Sequence, residues 1–131
     1  MTRKYFRYAA TSLLCMLSGL AATTTAAAEP GVTDSTIILG SVTPVSGPPS
    51  LLGKAHMAAL RVWEQDVNAR GGINGRKVEI RQDDDGYVPQ RALQGVKRLV
   101  EVEGIFGLIG TSGSAMLQAM LPYINEQHLP T

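Results

Sequence analysis

The sequence predicts an α/β fold, an open parallel sheet with helices on both faces. Two observations carry this. Short apolar, β-branched runs alternate with longer stretches whose apolar residues fall at helical spacing, and a β-α-β-α order of this kind implies parallel strands joined by right-handed crossovers. The third run, Ile105 to Ile109, passes through small and hydroxylated residues, Thr111 to Ser114, into another helical pattern. In an open α/β sheet that sequence presents backbone N–H groups to a ligand at the carboxyl edge.

Thr36 to Thr43 is apolar and β-branched and stops at Pro44, which predicts a buried first strand. A loop follows, from Val45 to Ser50. Leu51 to Asn68 is the first helix, its apolar face expected from Ala55, Ala58, Ala59, Val62, Trp63 and Val67. The run Gly71 to Gly75 ends it with positions suited to positive φ and an Asn-Gly turn. Lys77 to Gln82 alternates, Val78 and Ile80 opposite Glu79 and Arg81, and gives the second strand. Pro89 suits the first turn of the second helix, whose inner face is Ala92, Val96, Leu99 and Val100. Ile105 to Ile109 is the third strand. From Ser114 the third helix offers Met116, Leu117, Met120 and Leu121 for packing, and Pro122 is expected to kink or shorten it. Leu129 begins a fourth strand.

The N-terminal residues read as an address. Arg3, Lys4 and Arg7 precede an apolar stretch from Ala9 to Ala22, and small residues lead to Ala26, Ala27 and Ala28. This is the three-part pattern of a secretory signal peptide, with export and cleavage expected after Ala28. A membrane anchor is the competing reading, but the apolar run is short and diluted by Thr and Ser. The single cysteine, Cys15, lies inside the leader, so residues 29–131 need neither a disulfide framework nor a thiolate metal site. The formal charge of +1 includes the three basic residues of the leader; the remainder is slightly acidic, which gives no footing for nucleic-acid binding. The end of the chain, His128 to Thr131, resembles the entry to another element and suggests the front part of a longer protein.

The ligand crevice of such a sheet lies at the strand carboxyl ends. Two loops qualify. The first carries Ser46 and Gly47, a hydroxyl beside a residue that permits close backbone approach. The second offers the hydroxyls of Thr111, Ser112 and Ser114, with Gly113 between them and N–H groups at a helix N-terminus. Together they suit a carboxylate-bearing small molecule, because those N–H groups and the helix dipole favour negative charge. The alternative is that the hydroxyls only cap the helix. Asp83, Asp84 and Asp85 could bind Mg²⁺, yet Asp followed by Gly and Pro is also an ordinary turn and helix start. His56 and His128 stand without partners at ligand spacing and read as structural or surface residues; Trp63 reads as core. No Walker loop, dinucleotide fingerprint or nucleophile elbow is present, so neither a cofactor nor an enzymatic activity is expected.

The order of segments resembles a known family. Gly31 to Ile37 leads into a strand ending Pro44-Val45-Ser46-Gly47-Pro48; then come Asn68 to Val78 with its Gly-Gly-Ile-Asn-Gly-Arg turn, the Asp83-Asp84 strand end, and Gly110 to Ser114. This is similar to the N-terminal part of the leucine/isoleucine/valine-binding type of periplasmic solute receptors for ABC transporters. The resemblance implies the first lobe of a type I periplasmic-binding-protein fold over residues 29–131, truncated. It implies that two such lobes close on an amino acid or related solute and present it to a membrane permease. By the same resemblance the loop matching Thr111 to Ser114 holds the ligand carboxylate, and the loop from Ser46 to Leu52 walls the side-chain pocket. Family members often place an aromatic residue where Leu52 stands, so the solute itself stays open among amino acids, amides and small organic acids. Without a second lobe the chain is expected not to close around it. A signalling receptor of the same fold is the alternative role.

Overall fold

The computed structural model describes residues 29–131; the leader expected at residues 1–28 lies outside the described residues. Three strands and three helices alternate: β1 (Thr36–Val42), α1 (Ser50–Ala69), β2 (Lys77–Asp83), α2 (Pro89–Glu101), β3 (Gly107–Leu108) and α3 (Ser114–Glu126). The sheet is parallel with order β2-β1-β3, Thr36 pairing with Lys77 and Leu39 with Gly107. Starting in the middle and stepping to opposite sides places successive crossovers on opposite faces, and two apolar clusters result. One joins Ile38, Val42, Leu108 and the inner faces of α2 and α3. The other joins Leu39, Val78, Ile80 and α1.

The α1 face differs from the one expected. Met57 and Val67 are buried, Leu60 and Trp63 pack beside them, and Gly53 is buried in the first turn. Ala55, Ala58, Ala59 and Val62 point to solvent. Helical spacing gives two apolar stripes on this helix, and the longer side chains of Met57 and Leu60 fill the space above the sheet where alanine would leave a void. Gly53 explains the close seating. A Cβ there would lie 1.9 Å from the carbonyl oxygen of Pro44, so only glycine lets the first turn of α1 rest on the end of β1.

The outer edge of β2 is closed by side chains of α1. Asn68 donates to the Val78 carbonyl and accepts the Val78 N–H, both at 2.8 Å, and Glu64 accepts the Ile80 N–H at 2.9 Å. An edge whose backbone groups are already paired offers no template for a further strand there. On the other side, the ladder of β3 is shorter than the expected Ile105 to Ile109, though Phe106 and Ile109 donate to Ile38 and Gly40 just beyond it. The segment after α3 begins to pair with this open edge, Leu108 donating to the Pro130 carbonyl at 2.8 Å. No strand is assigned at Leu129.

Helix α3 continues through Pro122 to Glu126, so the expected shortening does not occur. Its packing face is Met116, Met120, Tyr123 and Ile124, while Leu117 and Leu121 are 40% exposed. Met116 and Met120 are shared with the expected face, but Tyr123 and Ile124 replace Leu117 and Leu121, because α3 packs against α2 with Tyr123 directed at Glu101, whose carboxylate accepts its hydroxyl at 3.0 Å. His128, at φ 50, follows the end of this helix as an exposed turn residue.

Candidate functional site

The carboxyl ends of the three strands release three loops side by side. The strand ends are tied first: Thr43, fully buried, donates from Oγ1 to the Gly110 carbonyl at 3.2 Å and pairs with the Ser41 hydroxyl at 3.2 Å. Above them the loops meet through glycines. A Cβ on Gly47 would approach the Gly86 carbonyl oxygen to 3.0 Å, and one on Gly113 would stand 3.2 Å from the Tyr87 ring. The loop after β2 therefore bridges the two loops expected to hold a ligand. Ser46 and Gly47 are exposed on the first of these. Leu52, 72% exposed, stands on the first turn of α1.

Thr111, Ser112 and Gly113 run half-buried into α3, and Ser114 begins the helix in exposed position. Gly113 is its N-cap, at φ 96 and ψ 117, and no side chain caps it. The first N–H of the helix to find a carbonyl is that of Leu117, which donates to Gly113 at 2.9 Å. The three preceding N–H groups of the first turn have no intrahelical acceptor. The hydroxyls here are thus not spent on capping, and Thr111 Oγ1 is buried without a partner. Open donors at the positive end of a helix dipole are able to receive an anionic group. A cavity of about 250 Å³ adjoins them, bordered by Leu108, Gly110, Thr111, Leu117 and Thr131. A second cavity, of about 170 Å³, lies at the opposite end of the sheet between Pro30, Phe106 and Leu129, away from these donors.

The three aspartates face different partners. Asp83 takes Arg98 at 2.6 Å. Asp84 Oδ1 accepts the N–H groups of Val45, Ser46 and Gly86 at 3.0, 3.2 and 3.0 Å, and Arg91 stands 3.5 Å from its other oxygen. Burial alone would push the Asp84 carboxyl up, but hydrogen bonds from the Ser46 hydroxyl and from the N–H groups of Gly86, Ser46 and Val45 hold it below the ordinary range. Asp85 is fully buried, and its Oδ1 accepts the Tyr87 N–H at 2.7 Å. Burial raises its pKa, with the charges of Asp84 and Asp83 adding to the rise and the Tyr87 bond and Arg91 opposing it. Carboxylates aimed at separate backbone and guanidinium partners act here as loop clamps.

Sequence reasoning missed Tyr87. It is 52% exposed and sits at φ 65, a conformation rare for an aromatic residue. A pattern of residues carries no sign that this backbone turns left-handed and lays the ring beside Gly113. His56 lies half-buried against Gly110, where a Cβ would meet its Nε2 at 2.4 Å; that nitrogen is buried without a partner.

With this geometry in view, comparison with known proteins is decisive. The profile described as periplasmic binding protein matches residues 36–131. The chain belongs to the periplasmic binding protein family. Among relatives, it is 35% identical over 89 residues to Leu/Ile/Val-binding protein homolog 7 of Brucella suis biovar 1 (strain 1330), covering 68% of this chain and 22% of the relative. Among solved structures, it is similar to a fatty acid ABC transporter substrate-binding protein from Thermomonospora curvata, with TM-score 0.70 and 35% identity over 79% of this chain and 26% of that one. It is also similar to a type 1 periplasmic binding protein from Bordetella pertussis Tohama I, with TM-score 0.68 and 32% identity over 73% of this chain and 26% of that one. This periplasmic binding protein chain thus spans about a quarter or less of the length of the relatives it matches, and its strands and helices are those of the type I fold.

Proposed function

We propose that the chain supplies the first-lobe half of a solute site in a receptor that serves an ABC importer, and that Gly113 to Met116 hold the solute's carboxylate. The uncapped first turn of α3 carries this reading: donors without acceptors sit beside the unpartnered Thr111 hydroxyl, at the sheet edge where open α/β folds bind ligands. The names of the relatives support it. A Leu/Ile/Val-binding homologue and a fatty acid receptor point to solutes whose common group is a carboxylate. Ser46, Gly47 and Leu52 then border the solute's side chain. Like the family's other members the chain works by binding and not by catalysis, and it reaches the periplasm by cleavage after Ala28, which the mass of the secreted product tests.

Amide chemical shifts of the 131-residue chain, titrated with leucine, valine and glutamate, test the site. One lobe makes only part of the contacts that two would, so dissociation constants on the order of 1 mM, about −4 kcal/mol, are expected. The amides of Gly113, Ser114, Ala115 and Met116 should move together. If they stay still while other amides respond, the assignment of the carboxylate seat is wrong; micromolar binding would instead overturn the view that one lobe holds only half the site.

A further inference from the structure

We propose that Tyr87 is a solute-contacting residue, the aromatic wall of this site, supplied by the loop after β2. The proposal rests on the carboxylate seat described above and extends it to the group next to the carboxylate.

Four observations converge. The ring borders the seat itself, since a Cβ on Gly113 would lie 3.2 Å from Tyr87 Cε2. The residue is 52% exposed, so the ring contributes little to the core. Its backbone is nevertheless held at φ 65, where side-chain sterics disfavour a bulky residue. The holding group is Asp85, fully buried, whose Oδ1 takes the Tyr87 N–H at 2.7 Å. A strained, half-exposed aromatic anchored by a buried carboxylate stabilises the fold poorly, and strain of this kind collects at ligand sites.

Tyr87 is also the one aromatic residue in the three loops, which otherwise present Ser46, Gly47, Thr111 and Ser112, with Leu52 beside them on the first turn of α1. A ring beside an anion seat gives an apolar surface within one side chain's length of the bound carboxylate. The solute class it fits is a small carboxylate bearing an aliphatic or aromatic group close to that carboxylate. A carboxylate without such a group gains nothing from it.

Leucine and formate separate the two halves of the site. In the 131-residue chain, leucine is expected to shift the Gly113 and Ser114 amides and the Tyr87 ring protons together, with nuclear Overhauser contacts from ring to leucine methyls; formate should shift the amides alone. Tyr87→Asn retains a residue tolerant of the left-handed conformation and removes the ring. It is expected to weaken leucine about tenfold, the size of a modest aromatic contact, and to leave formate unchanged. Tyr87→Phe should keep the leucine affinity. Amides that respond to leucine while the Tyr87 ring does not, or equal leucine affinity in Tyr87→Asn, would overturn the proposal and leave the carboxylate seat standing. Amides that respond to neither probe would remove the seat and the proposal together. The ring contacts are measured in the native chain, so the result stands even if a variant misfolds.

Discussion

Asp84 reaches across 38 residues to hold Ser46: its Oδ1 accepts the Ser46 N–H at 3.2 Å, together with the N–H groups of Val45 and Gly86 at 3.0 Å each. One carboxylate oxygen thereby fixes the loop after β1 to the loop after β2. Hydrogen bonds to a charged group are worth about 1.5–3 kcal/mol, so Asp84→Ala is expected to destabilise the chain by about that amount in urea unfolding near neutral pH. Folding lowers this carboxyl's pKa, so its contribution is full above the ordinary value of 3.8 and is lost as pH falls through the lower folded value. Native and Asp84→Ala stabilities should therefore converge in acid. A gap that persists unchanged at low pH would contradict the clamp.

Asp85 is expected to behave in the opposite sense. Its pKa is raised on folding, mainly by burial, so its contribution is full below 3.8 and declines as pH rises through the folded value. Asp85→Asn keeps an oxygen for the Tyr87 N–H and carries no charge. Relative to the native chain it should gain stability as pH rises from acid to neutral, as followed by thermal unfolding across that range.

Thr111 tests a conflict between stability and binding. Its hydroxyl is buried without a partner, and an unsatisfied buried group costs about 1–3 kcal/mol. Thr111→Val should match or exceed the native stability by up to about 1 kcal/mol while weakening leucine binding, the trade expected at ligand sites. A variant that loses stability without any change in binding would make the hydroxyl structural.

Gly53 and Gly75 separate close approach from backbone conformation. A Cβ on Gly53 meets the Pro44 oxygen at 1.9 Å, whereas one on Gly75, at φ 81, meets nothing within 4 Å. Gly53→Ala is expected to cost about 3 kcal/mol or more through overpacking, and Gly75→Ala about 1–2 kcal/mol through its left-handed conformation alone. Melting temperatures of the pair give the order; the reverse order would refute the packing of α1 on β1.

The orientation of α1 is tested by lysine. Ala58 points to solvent and Met57 into the core, so Ala58→Lys should stay within about 0.5 kcal/mol of native while Met57→Lys, which buries an unpaired charge, should cost several kcal/mol. Equal costs at the two neighbouring positions would show that the helix is turned differently.

The order of elements was legible because strand and helix periods differ, and because Pro44, Gly71 to Gly75 and Pro89 punctuate them with residues of restricted or special backbone geometry. The inner faces of α2 and β2 followed from the same periods. The face of α1 did not, since apolar residues lie on both of its sides and only the space above Val78 and Ile80 selects Met57 and Leu60. Thr111 to Ser114 were visible as a hydroxyl-rich turn, but that their hydroxyls leave the helix uncapped is a matter of φ, ψ and distance.

By itself the sequence determined the alternation of strands and helices, the family, and the two hydroxyl-bearing loops at the strand carboxyl ends, because these depend on local periodicity and on a few residues with special backbone preferences. Tertiary structure decided the rest. It gave the three aspartates separate partners, turned Tyr87 left-handed and laid it beside Gly113, and joined the three loops through Gly47 and Gly86. Those relationships are distances between residues far apart in the chain, and distance is set by packing, which no local pattern encodes.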